Sequence, residues 1–198
     1  MSIGNELELK IVSIFNRDIT GMYSINQISK ILKKAYPHIN KKVNDLISEN
    51  VLKKIVIGRS YLCSINLNNE KAIVLLTLNK INEKDGFIKK NKKIKSIVKD
   101  IKKIRLNYKV HTIFSYDTKL FFVLDYKNDD ESILSNHPEI KNQDPNFLSV
   151  ENFYEKILED KSLIQDSIIM YSHEKYFELI QNIEDKLFLR GSLFSNNN

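Results

Sequence analysis

Cysteine is nearly absent from this sequence of 198 residues. Cys63 stands alone, which excludes an internal disulfide and any site built on paired thiolates. Glycine is scarce, and none of the five falls in a GxxxxGK or GxGxxG arrangement, so the usual phosphate-cradling loops are missing and no cofactor is implied. Long apolar runs are missing too: Ala72 to Leu76 and Phe121 to Leu124 fall far short of the ~20 residues a membrane span needs. The start, MSIGNELELK, has Glu6 and Glu8 early and no apolar run behind basic residues, so no secretory signal is read and the expected setting is cytoplasmic, without a membrane partner. His38, His111, His137 and His173 are scattered, with no HxxxH or His–carboxylate spacing. No metal site is therefore expected, nor does a nucleophile elbow or triad signature occur.

What the chain does have is charge in the wrong proportions for a uniform surface. Apolar residues make up 42% and charged residues 28%, an ordinary globular composition with length enough for two small domains. Residues 1 to 107 hold 22 Lys and Arg against 9 Asp and Glu, whereas residues 108 to 198 hold 9 against 16. An A·T-rich coding sequence raises Lys throughout but does not confine it to one half. The basic half is expected to meet a polyanion, and the acidic half to do something else.

Along the basic half, Leu7, Ile11, Ile14 and Phe15 recur at helical spacing, with Gly21 as the break. Ser24 is placed to cap a short second helix whose stripe is Ile25, Ile28, Ile31 and Leu32. Pro37 suits the first turn of a third helix that buries Ile39, Val43, Leu46 and Ile47. Two runs rich in β-branched and aromatic residues then flank Gly58-Arg59-Ser60, a hairpin signal. Three short helices followed at once by a hairpin is the order of a winged helix. In that fold the third helix enters the major groove and the hairpin lies on the backbone or in the minor groove. Asn40 and Asn44 then suit adenine edges, Lys41 and Lys42 suit phosphate or guanine, and Arg59 suits a narrow minor groove. Lys30, Lys33, Lys34, Lys53 and Lys54 are expected on phosphates, with His38 and Ser60 completing the interface. A solvated Lys surface that mediates only protein contacts is the bland alternative. Cys63, on a strand face with Tyr61 and Ile65, reads as a small core residue rather than a nucleophile.

A helix capped by Asn68 or Asn69 is expected to run to about Glu83, and another from about Phe87 to Leu106 carries nine basic residues around the stripe Ile94, Ile97, Val98, Ile101 and Ile104. The C-terminal portion alternates in type: strands KVHTIF and KLFFVLDY, a polar loop from Lys127 to Asn146, a brief strand NFLSV, and a helix capped by Ser149. A helical turn in KSLIQDS, a strand IIMY, a final helix HEKYFELIQNIEDKLF and a frayed SNNN tail follow.

The stretch FLSVENFYEKILEDKSLIQDSIIMYSHEKYFELI resembles the C-terminal portion of the minimal nucleotidyltransferase-like domains that many archaea fuse behind a winged helix, and VLKKIVIGRSYLCSINLNNEKA resembles their wing and following helix. The resemblance implies a Gly-Ser pair opening a helix to hold a triphosphate, then two aspartates one residue apart on a strand to hold metal ions. In IFSYDTKLFFVLDY the pair is reduced to Phe114-Ser115, Asp117 stands at the first carboxylate position, and Lys119 replaces the second. Asp125 lies ~20 Å along the strand. A catalytically dead relative is expected.

The resulting expectation is an α+β chain. It comprises a winged helix-turn-helix at 1–68, a basic helical linker at 69–107, and a degenerate nucleotidyltransferase-like α/β domain with a short sheet at 108–192. The expected function is sequence-specific double-stranded DNA binding by a transcriptional regulator. Two alternatives remain open: an active nucleotidyltransferase using Ser115, Asp117 and Asp125, and an antitoxin-like module binding a protein partner through its acidic half. A homodimer would suit two-fold operators, but no heptad or exposed apolar run demonstrates one.

Overall fold

The computed structural model describes residues 5–91, 94–125 and 129–194 of a mixed α+β chain with two sheets. Its contacts divide it into two units, one formed by residues up to Asn79 together with those from Glu184 onward, the other by Lys80–Ile183.

In the first unit, α1 (Glu6–Arg17) opens with a capping box: Asn5 Oδ1 accepts from the Leu7 and Glu8 amides, both at 3.0 Å, and Glu8 accepts from the Asn5 amide at 3.3 Å. α2 (Ile25–Leu32) repeats the device with Ser24 and Gln27. α3 (Tyr36–Ser48) has Pro37 in its first turn, where a missing N–H is no loss. These helices bury Ile11, Val12, Phe15, Ile28, Ile39, Val43 and Leu46 in one core, each such side chain contributing about 2 kcal/mol. Strands β1 (Leu52–Ile57) and β2 (Ser60–Ile65) pair antiparallel from Leu52↔Ile65 to Ile57↔Ser60. The turn between them has two residues, and Gly58 takes φ +59°, which glycine adopts without steric cost. Tyr23 exchanges both backbone hydrogen bonds with Cys63, at 2.8 and 2.9 Å, so the loop before α2 joins the hairpin. Gly21 makes room there, because a Cβ would meet the Tyr23 ring at 2.5 Å.

Helix α4 (Glu70–Lys90) starts at the Asn69 cap, whose side chain accepts from the Ala72 amide at 3.0 Å. Its first part buries Ala72, Leu75 and Leu76, and Asn16 and Asn79 side chains tie it to α1 through the Leu76 and Leu9 carbonyls. α5 (Ile94–Asn107) follows in the second unit.

There β3 (Val110–Tyr116) and β4 (Lys119–Leu124) form a hairpin on the turn Asp117-Thr118, both at positive φ. After α6 (Asp129–Asn136) and α7 (Pro138–Lys141), β5 (Asn146–Leu148) adds parallel to β4; after α8 (Val150–Glu159) and α9 (Ser162–Asp166), β6 (Ile168–Tyr171) adds antiparallel to β3. The order is β5-β4-β3-β6. Because strand side chains alternate, one face presents Ile113, Leu120, Phe122 and Leu124 to the α5 stripe Ile97, Ile101 and Ile104 and to Ile133 and Ile140 of α6 and α7. The other presents Phe114 and Phe121, whose rings stack at 5.0 Å, to Phe153 of α8 and Tyr176 of α10 (His173–Gln181). Both faces of the sheet are covered.

Several expectations give way. The stretch from Lys127 to Asn146 is no polar loop where it is described: α6 and α7 form because Ile133 and Ile140 are buried against the sheet, and Pro138 starts a helix instead of breaking one. The break expected between Glu83 and Phe87 does not occur, since α4 remains helical through Gly86 to Lys90. The expected final helix is two, α10 and α11 (Glu184–Phe194), and α11 packs in the first unit. Ile31 is exposed rather than part of the α2 stripe. The SNNN tail, Lys92 and Lys93 lie outside the described residues.

Lys80 and His173 are ionisable groups buried in the second unit. Lys80 is 1% exposed, and its ammonium donates to the Gln165 and Ser167 carbonyls, each at 3.1 Å, and meets Glu83 at 3.0 Å. Lys80→Met leaves two carbonyls unpaired and is expected to cost about 3 kcal/mol in urea unfolding. His173 is 8% exposed. Burial, then the Lys84 charge, pushes its pKa down from 6.5 to about 4, against the pull of Asp85 and the Ile169 carbonyl and with Lys80 adding to the push. The unfolded chain therefore binds a proton that the folded chain refuses between pH 6.5 and 4, and stability falls as pH falls through that window. His173→Phe is expected to flatten that part of the stability-versus-pH curve, measured by urea titration at each pH.

Candidate nucleic-acid interface

The twelve residues expected at a nucleic-acid surface all lie in the first unit, on α2, α3, the turn between them and the β1–β2 hairpin, and the rotation of α3 sorts those on that helix. With Ile39, Val43 and Leu46 buried, the helical period turns Lys41 and Asn44 to solvent and Lys42 toward α1. Lys42 there meets Glu8 at 3.1 Å and Asp45 at 3.6 Å. Burial raises the Glu8 pKa, but the Lys42 hydrogen bond and the Lys71 charge at 3.7 Å outweigh it and hold the carboxyl below its usual range. Lys42 is thus committed to the fold.

On the hairpin, Lys53 and Lys54 point to opposite faces. Lys53 is tied to the nearly buried Glu184 of α11 at 2.9 Å, and Asn68 donates to the same carboxylate at 3.4 Å. Lys54 lies over the Tyr61 ring at 4.4 Å and is exposed, as are Lys30, Lys33, Lys34, His38, Arg59 and Ser60. Lys33 terminates α2 at φ +51° and so projects from the junction into α3.

Asn40 and Asn44 are not isolated amides. The Asn44 amide donates to Asn40 Oδ1 at 3.2 Å, and the Tyr61 hydroxyl donates to Asn44 Oδ1 at 3.3 Å. This row joins the outward side of α3 to the hairpin and leaves Asn40 and Asn44 with further donors and acceptors free for a ligand. By sequence Tyr61 is only a strand residue beside Cys63. Its role appears because the fold brings the Tyr61 hydroxyl within reach of Asn44 on α3, a tertiary fact with no local sequence signal. Cys63 is fully buried, and burial pushes its thiol up to about 11, which keeps it protonated.

In the second unit, Asp117 and Lys119 are exposed at one end of the β3–β4 hairpin, and Asp125 is at the other, paired with His111. That pairing connects residues near the ends of β3 and β4, so it has no spacing in sequence that would announce it. Ser115 borders a cavity of about 30 Å³ with Ile94, Thr118 and Met170, room for about one water. Among the described residues, no three or more His, Cys, Asp or Glu side chains come together as a metal site, and no helix is long and apolar enough to cross a membrane.

Compared with known proteins, the chain matches no family model, no curated protein and no solved structure.

The two neighbouring lysines of α3 are expected to separate in stability measurements. Lys42→Ala removes a partner from the nearly buried Glu8 and costs about 1 kcal/mol in urea unfolding. Lys41→Ala, at an exposed position, stays within about 0.5 kcal/mol of the parent.

Proposed function

We propose that the first unit is a winged helix that binds double-stranded DNA, that the protein is a cytoplasmic transcriptional regulator, and that its second unit is a nucleotidyltransferase-like domain no longer used for catalysis. The observation that carries the DNA reading is the continuous surface of α3 and hairpin. Lys41 and the Asn40–Asn44–Tyr61 row lie beside a hairpin whose exposed tip bears Arg59. A bidentate amide suits adenine in the major groove, and Arg suits a narrow minor groove. Exposed Lys30, Lys33, Lys34 and Lys54 flank that surface, and counterion release from phosphates supplies affinity independent of sequence.

For the second unit, the support is geometric. Two-metal phosphoryl transfer needs carboxylates close enough to share ions about 4 Å apart, whereas Asp117 and Asp125 sit at opposite ends of β4, ~20 Å apart, and Asp125 is engaged by His111. Helices cover the sheet on both sides, which leaves the acidic half of the chain to serve in binding or assembly.

Lys30, Lys33, Lys34, Lys41, Lys54 and Arg59, all exposed, together neutralise about six phosphate charges, which implies an affinity for duplex DNA that falls about 10³-fold between 50 and 200 mM salt. Fluorescence anisotropy with a duplex selected from a random pool reads this, and an affinity indifferent to salt refutes the DNA reading. Arg59→Ala and Lys41→Ala are each expected to weaken binding about tenfold. Incubation with Mg²⁺ and labelled nucleoside triphosphates is expected to transfer no label; incorporation that Asp117→Ala abolishes would establish the enzyme instead.

A further inference from the structure

The tip of the hairpin is apolar where a wing needs only charge. Val56 is 69% exposed and Ile57 56%, and as successive strand residues they stand on opposite faces of the ribbon. Of the other large exposed apolar side chains among the described residues, Met22 and Leu189 line one cavity with Ile55 of β1, while Ile31, Tyr36 and Val74 stand on helices away from the tip. Between Val51 and Asn69 the chain has Lys53, Lys54 and Arg59 and no acidic residue. A narrow projection with an apolar side chain on each face and a guanidinium at its end has the form of a wedge presented to a polyanion.

We propose, building on the DNA-binding reading above, that this tip is a minor-groove wedge. Ile57 and Val56 enter the stack of a duplex at a flexible pyrimidine–purine step, Arg59 lies in the groove beside them, and the DNA is kinked as a result.

Dimensions make the kink a consequence of insertion. Paired strands lie about 4.8 Å apart before any side chain is added, and the minor groove is about 6 Å wide. The ribbon cannot enter an undistorted groove, so the groove opens around the tip and the duplex bends toward its major groove. Unstacking is easiest at TA and CA/TG steps, which converts the wedge into a preference for sequence without a base-edge hydrogen bond. The commonest other use of exposed apolar groups, docking on a protein, would bury about 800 Å² on each partner, and Val56 and Ile57, facing opposite ways, cannot both be covered by one flat surface.

The test uses the full chain and end-labelled duplexes of about 30 base pairs whose central step is TpA or, in a matched control, GpC. On binding the TpA duplex, the parent protein is expected to raise energy transfer between the end dyes. The double variant Val56→Ser, Ile57→Ser is expected to bind it about tenfold more weakly, with an unchanged salt slope and no rise in transfer. Both positions are exposed, so thermal unfolding should be unchanged and the loss cannot come from misfolding. Binding without bending by the parent, or equal bending by the double variant, overturns the wedge and leaves DNA binding intact. Failure of the parent to bind either duplex at low salt overturns both. A change from dimer to monomer in the double variant, seen by sedimentation, overturns the wedge in favour of contact between copies.

Discussion

Burial of Ile39, Val43 and Leu46 sets the rotation of α3 about its axis, and what the first unit can present to any partner follows from that. Turning the helix by one residue, about 100°, would bring Lys42 to the outward place of Lys41 and force Asn44 into the buried place of Val43. The three buried side chains together supply roughly 6 kcal/mol toward holding the register, more than any single surface ion pair on α3 can supply against it. Glu8 takes up the lysine that this rotation turns inward. The same register brings Asn44 within reach of Tyr61, so the core of the unit and its proposed recognition row are two sides of one constraint.

The hairpin obeys a comparable rule with a different period. Alternation puts Lys53 on the face where α11 supplies Glu184, and Lys54 on the face shared with Tyr61 and the buried Cys63. Of two adjacent lysines, one is spent on the fold and one is offered to solvent. Beyond the reach of those neighbours the strands carry only tip residues, and there Val56 and Ile57 emerge uncovered. In the second unit the sheet is sealed on both sides by aliphatic and aromatic layers, so the two aspartates that give its hairpin the look of a catalytic strand remain at opposite ends. The charge division of the sequence does not coincide with the units, since 11 of the 22 Lys and Arg in residues 1 to 107 lie from Lys80 onward, in the second unit.

Much of the chain was legible because its signals are local. Capping boxes at Asn5 and Ser24, Pro37 in a first turn, and Gly58 between β-branched runs each satisfy or relieve a backbone group within a few residues. The failures are of another kind. Ile133 and Ile140 stand in a segment rich in Pro, Asn and Asp that reads as loop, and only a sheet face waiting to be covered makes it helical. The last helix reads as continuous with α10, yet Glu184 pairs with Lys53 and Asn68 inside the first unit, across more than a hundred residues of chain. For the candidate interface the same line divides success from failure: the exposed lysines on α2 and α3 and Arg59 follow from helical period and turn position, whereas the commitment of Lys42 and Lys53 depends on acids that other elements bring.

By itself the sequence determined the order of elements from α1 to β2, the scarcity of thiols and glycines that closes off several chemistries, and the concentration of positive charge in its first 107 residues. These rest on residue type and short-range spacing, to which backbone hydrogen bonding and side-chain period respond directly. Tertiary structure decided which lysines remain free, which amides line up with Tyr61, that Asp125 is held by His111, and where α11 belongs. Each of those is an encounter between residues far apart in the chain, and its physical determinant is the burial of apolar faces, which selects neighbours that local pattern does not encode.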